Sequence, residues 1–228
     1  NILLLQSYTK NYFTFNLPSW SISDEMFFYL CFPFIIILFN YLVSKSQKLI
    51  IYFTLSLALL VLGLTLIIPP SQFHRFLYID PFVRIIDFII GITLYQVILK
   101  LPKLKLNLRF SNILEFFSVF VFILFYSLSP FIPIVYRYSS YYWIPVIIII
   151  FVFFNSHGIL SKVLSNKYLV IFGEISFGFY MFHQLVLRYF FGLGMDVFHP
   201  VLNFILILLI TFITSFVSFF FFEKPLNL

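Results

Sequence analysis

The chain has 228 residues, of which 62% are hydrophobic and 10% charged, and its mean hydropathy is +1.07. An ordinary soluble domain carries roughly 25% charged residues, so the composition excludes that class and specifies an integral membrane protein. The formal charge of +6 is carried largely by short connections, which is a pattern of membrane orientation; no nucleic-acid partner is expected.

Runs such as "FPFIIILF" and "VIIIIFVFF" are apolar on every face, whereas a transmembrane β-barrel strand alternates in polarity. A barrel is excluded, and the expected fold class is all-α, a polytopic transmembrane helix bundle. In chain order the apolar runs and their breakers predict about seven spans, at 22–43, 49–68, 82–99, 113–129, 142–154, 168–191 and 201–222. The fifth is short, and the aromatic stretch "YRYSSYYW" ahead of it has the composition of a headgroup-level anchor. Connections are short and no repeat is evident, so residues 1–228 read as a single membrane domain. The lone cysteine, Cys31, lies inside the first span and has no intramolecular partner for a disulfide.

The connections at 44–48, 100–112 and 155–167 contain Lys45, Lys48, Lys100, Lys103, Lys105, Arg109, Lys162 and Lys167, and the tail adds Lys224. The opposite side has Lys10, Arg75 and Arg137. The positive-inside rule places the basic connections and the carboxyl terminus in the cytoplasm and the segment before the first span outside. An external start, an odd number of spans and no signal peptide imply an odd number of helices ahead of Asn1.

Ionisable groups inside a bilayer cost about 2.5–3.5 kcal/mol each on insertion scales and usually face a bundle interior or a wet cavity. Glu25 falls in the first turns of span one, Arg84 and Asp87 in the first turns of span three, and both spans are entered from outside. His183 lies about fifteen residues, or roughly 22 Å at 1.5 Å per residue, beyond the cytoplasmic start of span six. A carboxylate, a guanidinium and an imidazole from three helices therefore share one membrane level. Arg84 and Asp87 are three apart and can neutralise each other, or Arg84 can pair with Glu25. In "GEISFGFYMFHQ", Ser176, Tyr180 and His183 form one polar stripe, and Gly173 and Gly178 beside it are equally suited to close helix packing. Asp24 is about 100° around the helix from Glu25 and reads as the solvated acid of the two. His74, Arg75 and Asp80 read as a solvated external loop. No His, Cys or carboxylate spacing suggests a metal site, and no phosphate loop or nucleophile motif is present.

Four segments resemble, in order, those of the membrane-bound acyltransferase 3 family. "PSWSISDEMFFYLCFPF" is similar to its W-S-L-x-x-E-x-x-F-Y-L-x-x-P segment and "PFVRIIDFIIGITL" to its F-x-R-x-x-x-F-x-x-G segment. "LVIFGEISFGFYMFHQLVL" resembles L-G-x-I-S-Y-x-x-Y-L-x-H, and the closing "FEKPLN" resembles E-x-P. The resemblance implies a bundle of about ten helices, of which three would precede Asn1 and carry the catalytic histidine and an acyl-CoA-binding arginine pair. It implies O-acetyl transfer from cytoplasmic acetyl-CoA to a bacterial surface polysaccharide or lipid-linked sugar, in the inner membrane and without a metal. On that reading Glu25, Arg84 and His183 are the catalytic candidates, and Trp20, Ser21, Asp87, Ser176 and Tyr180 surround the substrate. The rival readings are a secondary transporter or flippase, whose buried charges would line a transport path, and a non-catalytic remnant of an acyltransferase.

Overall fold

The computed structural model describes residues 5–9, 16–101, 106–195 and 198–226. Lys10, Lys103 and Lys105, used above for orientation, lie outside the described residues. Among the described residues there are helices and no strands: α1 (Ser19–Lys45), α2 (Gln47–Ile67), α3 (Pro81–Lys100), α4 (Leu108–Leu128), α5 (Ile134–Arg137), α6 (Trp143–Asn155), α7 (Ile159–Leu164), α8 (Lys167–Gly192), α9 (Pro200–Ser218) and α10 (Lys224–Leu226).

Six helical stretches, those of α1, α2, α3, α4, α8 and α9, are long and apolar enough to cross a membrane. The fifth expected span is α6, whose 13 residues rise only about 20 Å against a hydrocarbon core of about 30 Å. Two short turns, Ser140–Tyr142 and Ile134–Arg137, precede it where the aromatic anchor was expected. The outer surfaces are apolar, with Phe34, Leu66 and Phe131 more than two-thirds exposed, as lipid contact requires.

Helix starts follow local chemistry. Ser46, Asp80, Asn107 and Asn166 each accept a backbone N–H of the first turn of α2, α3, α4 and α8, satisfying donors that the helix itself cannot. Pro81 and Pro200 occupy first helical positions, where their missing N–H has no intrahelical role. Asp80 is thus a cap and not a loop charge. The segment ahead of it is also more ordered than the expected solvated loop: His74–Ile79 forms a π-helical turn in which Leu77 and Ile79 are buried.

The described residues divide into two compact units. The larger holds residues 7–10 and 21–162. Its core is Phe39, Ile50, Val61, Ile86 and Ile89, from α1, α2 and α3. Thr54 on α2 and Thr93 on α3 join their hydroxyls at 2.6 Å, both buried, and α4 packs on α6. The smaller unit holds residues 1–6, 11–20 and 163–228 and is built on α8 against α9. Gly178 faces that contact: a Cβ there would lie in ordinary van der Waals contact with Ser215 at 3.6 Å, and Ser215 is fully buried. No atom of a neighbouring element lies within 4 Å of such a Cβ at Gly173, so only one of the two glycines faces the partner helix, and neither is required for its approach.

Candidate functional site

The expected site residues divide between the units. Ser21, Glu25, Arg84 and Asp87 belong to the larger and Trp20, Ser176, Tyr180 and His183 to the smaller.

In the larger unit Arg84 and Asp87, one turn apart on α3, form an ion pair of 2.9 Å. Of the two partners considered for Arg84, Asp87 is therefore the one it takes. Arg84 also donates to the carbonyl of Tyr138 at 3.0 Å and lies 6.0 Å from the Tyr78 ring centroid. Asp87 accepts from Ser139 Oγ at 2.6 Å and Trp143 Nε1 at 2.6 Å. The aromatic stretch before α6 thus supplies the second wall of a polar centre on α3. Rings gather beside Arg84: His74 and Tyr78, from the turn ahead of α3, and Tyr138 have centroids 5.3–5.8 Å apart, tilted or edge-on to one another. Arg84, Asp87, Tyr138, Ser139, Tyr142 and Trp143 line a cavity of about 260 Å³ whose remaining lining is Gly91 and aliphatic side chains. The guanidinium and the carboxylate are each hydrogen-bonded as well as paired, so neither depends on the other alone for a partner.

The start of α1 corrects the sequence reading. Asp24 is buried, 4% exposed, while Glu25 is half-buried; Asp24 is not the solvated acid. Ser7, returning over α1 from the segment before it, places its hydroxyl 2.7 Å from that of Ser23, and Asp24 interacts electrostatically with Arg84 and Asp80. Tyr8 beside this cover packs edge-on to Phe27 and Phe82 at 6.1 Å. Burial first, then the nearby carboxyls of Asp24 and Asp80, push the Tyr8 phenol above its usual range. The helical angle between Asp24 and Glu25 was right, but it does not reveal which face the preceding chain covers. Ser21 is half-buried.

In the smaller unit Trp20 is buried, and the chain entering α1 is held by Ser19 Oγ donating to the Asn16 carbonyl at 2.6 Å and by Asn16 Nδ2 donating to the Met181 carbonyl at 3.0 Å. The stripe on α8 is formed, with its polar atoms turned back on the helix. Ser176 Oγ donates to the Gly173 carbonyl at 2.6 Å, and His183 Nδ1 lies 2.5 Å from the Tyr180 carbonyl. A carbonyl only accepts, so Nδ1 carries the proton and Nε2 of a neutral ring is left with its lone pair. Tyr180 is 41% exposed and its ring lies 5.8 Å from that of His183.

One carboxylate escaped sequence reasoning. Glu115, on α4, is fully buried. Its Oε1 accepts from Ser156 Oγ (2.6 Å), Gly158 N (2.7 Å) and Ser161 Oγ (2.5 Å), and its Oε2 from Leu160 N (2.9 Å) and Ser161 N (3.3 Å). Asn112, one turn earlier, accepts Ile159 N at 2.8 Å. Together they cap α7, which lies in the short basic connection at 155–167, from another helix. With five donors on two oxygens the carboxylate has no capacity left for chemistry; its role is to hold the α6–α7 connection against α4. Nothing in the local sequence marks it, since its partners lie more than forty residues downstream. Among the described residues no group of three or more His, Cys, Asp or Glu is placed to hold a metal ion.

The six long apolar helices, with a half-buried ion pair on one of them, define an integral membrane protein of the polytopic α-helical class. Comparison with known families agrees: the model of the acyltransferase 3 family, described as an acyltransferase domain, matches residues 1–222. The chain belongs to that family and is a membrane acyltransferase. No match was found among curated proteins or among solved structures.

Proposed function

We propose that the chain, acting as one membrane domain, transfers an acetyl group from cytoplasmic acetyl-CoA to a hydroxyl of an extracytoplasmic polysaccharide or lipid-linked sugar in a bacterial inner membrane. Family membership supports acyl transfer. The observation that carries the acceptor is the cavity on α3, where a carboxylate, a guanidinium and a hydroxyl meet aromatic rings among apolar helices. Convergent polar groups in an otherwise apolar concavity suit a hydroxyl-bearing ring, whose C–H faces pack on aromatics while its hydroxyls bond to the carboxylate.

In the reaction the acceptor oxygen bonds to the thioester carbonyl carbon, the C–S bond breaks, CoA leaves as its thiolate and the hydroxyl proton passes to a base. A cation or N–H donor must meet the charge that develops on the carbonyl oxygen. Arg84 is suited to that charge, with Asp87 and Ser139 orienting the acceptor. In the larger unit Glu25, with Ser21 near it in sequence, is suited to proton transfer; in the smaller unit His183 is suited to the same role through its Nε2 lone pair, with Trp20, Ser176 and Tyr180 shaping that unit's surroundings. Acetylation of the surface glycan by the full-length protein in its native membrane tests this, with Glu25→Gln, Arg84→Gln and His183→Ala compared with the parent. Loss of a proton-transfer group lowers the rate about 10²-fold or more. Unchanged transfer in all three variants at equal protein level removes the proposed site.

A further inference from the structure

The polar cavity on α3 has one wall residue without a side chain. The stretch before α6 and α6 itself contribute bulky groups, Tyr138, Tyr142, Trp143 and Ile147 among them, whereas α3 contributes Arg84, Asp87, Ile90, Gly91 and Leu94. At about 100° per residue these five span an arc of roughly 120° on α3, and Gly91 falls inside it, between Asp87 and Arg84. Position 91 therefore points at the cavity. It is four residues, roughly 6 Å, along the helix from Asp87, and a helical side chain leans back over the turn that precedes it. A side chain at 91 would stand beside the Asp87 carboxylate.

Packing does not account for this glycine. Among the described residues no heavy atom of a neighbouring element lies within 4 Å of a Cβ added at Gly91, whereas one added at Gly178 would meet Ser215. Glycine inside a helix is destabilising relative to alanine, so α3 is weakened at this position with no close neighbour gaining from it. What the glycine leaves is space. A second cavity against α3, of about 370 Å³ between α2, α3 and α6, is lined by Thr54, Thr93 and apolar side chains, and Gly91 has no part in it. The room belongs to the cavity that holds the polar groups.

We propose that Gly91 is a specificity-determining residue: the side chain it lacks leaves the space in which the body of a ring-shaped acceptor sits while one of its hydroxyls meets Asp87. The inference rests on the acyl-transfer reading and adds to it a limit on acceptor size. A short open-chain alcohol needs only the hydrogen bonds at Asp87 and Ser139. A six-membered ring presenting the same hydroxyl also needs the volume over Gly91. Filling that volume discriminates between the two, because the steric conflict falls on the ring alone.

Titration of the full chain in phosphatidylcholine nanodiscs with methyl glucoside and with glycerol, read by saturation-transfer NMR, tests this, alongside acetyl transfer to the same two compounds. Gly91→Ala is expected to weaken glucoside binding about tenfold and Gly91→Leu about 100-fold, the range that one misplaced methylene covers in a fitted pocket, with glycerol binding unchanged in both. The unfolding midpoint of Gly91→Ala in detergent is expected at or above the parent's, which separates lost space from lost structure. Gly63→Ala is the matched control, since Gly63 on α2 has equally open surroundings and lines neither cavity; it is expected to change binding of neither compound. Equal loss of both compounds, loss of neither, no glucoside binding by the parent, or a lowered midpoint for Gly91→Ala overturns the inference. Size-selective loss of binding without acetyl transfer to any acceptor upholds the role of Gly91 and defeats the enzyme reading. Acetyl transfer to the glucoside that proceeds as fast in Gly91→Leu as in the parent does the reverse.

Discussion

A carboxylate buried in a membrane protein is read most safely by counting its donors. Asp87 has three partners and lines a cavity; Glu115 has five and lines none of the cavities on α3. The first can exchange a partner for a ligand and the second can only hold. Glu115→Ala is therefore expected to destabilise the protein by about 3 kcal/mol or more, since several buried donors lose their acceptor at about 1–3 kcal/mol each, and to leave the α3 cavity unchanged. Thermal unfolding in detergent, with cleavage of the α6–α7 connection by protease, measures it; an unaltered midpoint refutes the count. Gly158 makes the same point from the other side. A Cβ there would lie 2.6 Å from Glu115 Cδ and 2.7 Å from Asn112 Oδ1, and neither can retreat without breaking its bonds. Gly158→Ala is expected to cost about 1–3 kcal/mol by overpacking in the same assay. Arg84 and Asp87 were legible because i and i+3 on a helix face the same way. Glu115 was not, because its donors belong to a turn that sequence separation hides, and Asp24 was misplaced because covering Ser7 lies beyond any local periodicity.

Helices as elements were legible almost to their ends. The expected 49–68 and 82–99 became Gln47–Ile67 and Pro81–Lys100, the difference being the capped first turns, whose polar residues a hydropathy reading trims. What hydropathy could not supply is how one element meets another. Burial of apolar side chains gives little drive between helices that lipid already solvates, so packing detail and hydrogen bonds decide. Thr54 and Thr93 are such a detail: each reads as an ordinary polar interruption of an apolar run, and only the packing of α2 on α3 makes them partners. Interhelical hydrogen bonds in membranes average about 0.6 kcal/mol and reach about 1.7. Thr93→Val is thus expected to destabilise by about 0.6–1.7 kcal/mol, and Thr54→Val by a similar amount. The double variant is expected to cost less than the sum, because neither then leaves a hydroxyl unpaired in a dry wall. Additive losses in a double-mutant cycle, read by unfolding in detergent, would mean that the two hydroxyls do not interact.

At the scale of the whole chain, composition alone established the membrane class, while sidedness rests on where the cations fall. Ser44 and Ser165 are exposed beside Lys45 and Lys162, and Ser71 is exposed in the connection ahead of α3. The lysine-rich connections belong in the cytoplasm if the positive-inside rule governs this chain. That placement matters to mechanism, because acetyl-CoA would arrive from the lysine side while the acceptor would reach Arg84 and Asp87 near the opposite ends of their helices. The acyl group must then cross part of the bundle between the two, and a reversed orientation would put the polar cavity on the donor's side instead. Cys31 is the only cysteine, so a Cys31→Ala background makes the question measurable with one reagent. Ser44→Cys and Ser165→Cys are expected to resist a membrane-impermeant maleimide in intact cells and to react after permeabilisation, while Ser71→Cys reacts in both. The opposite pattern would place the α3 cavity on the cytoplasmic side and, with it, require an acceptor made and modified before export.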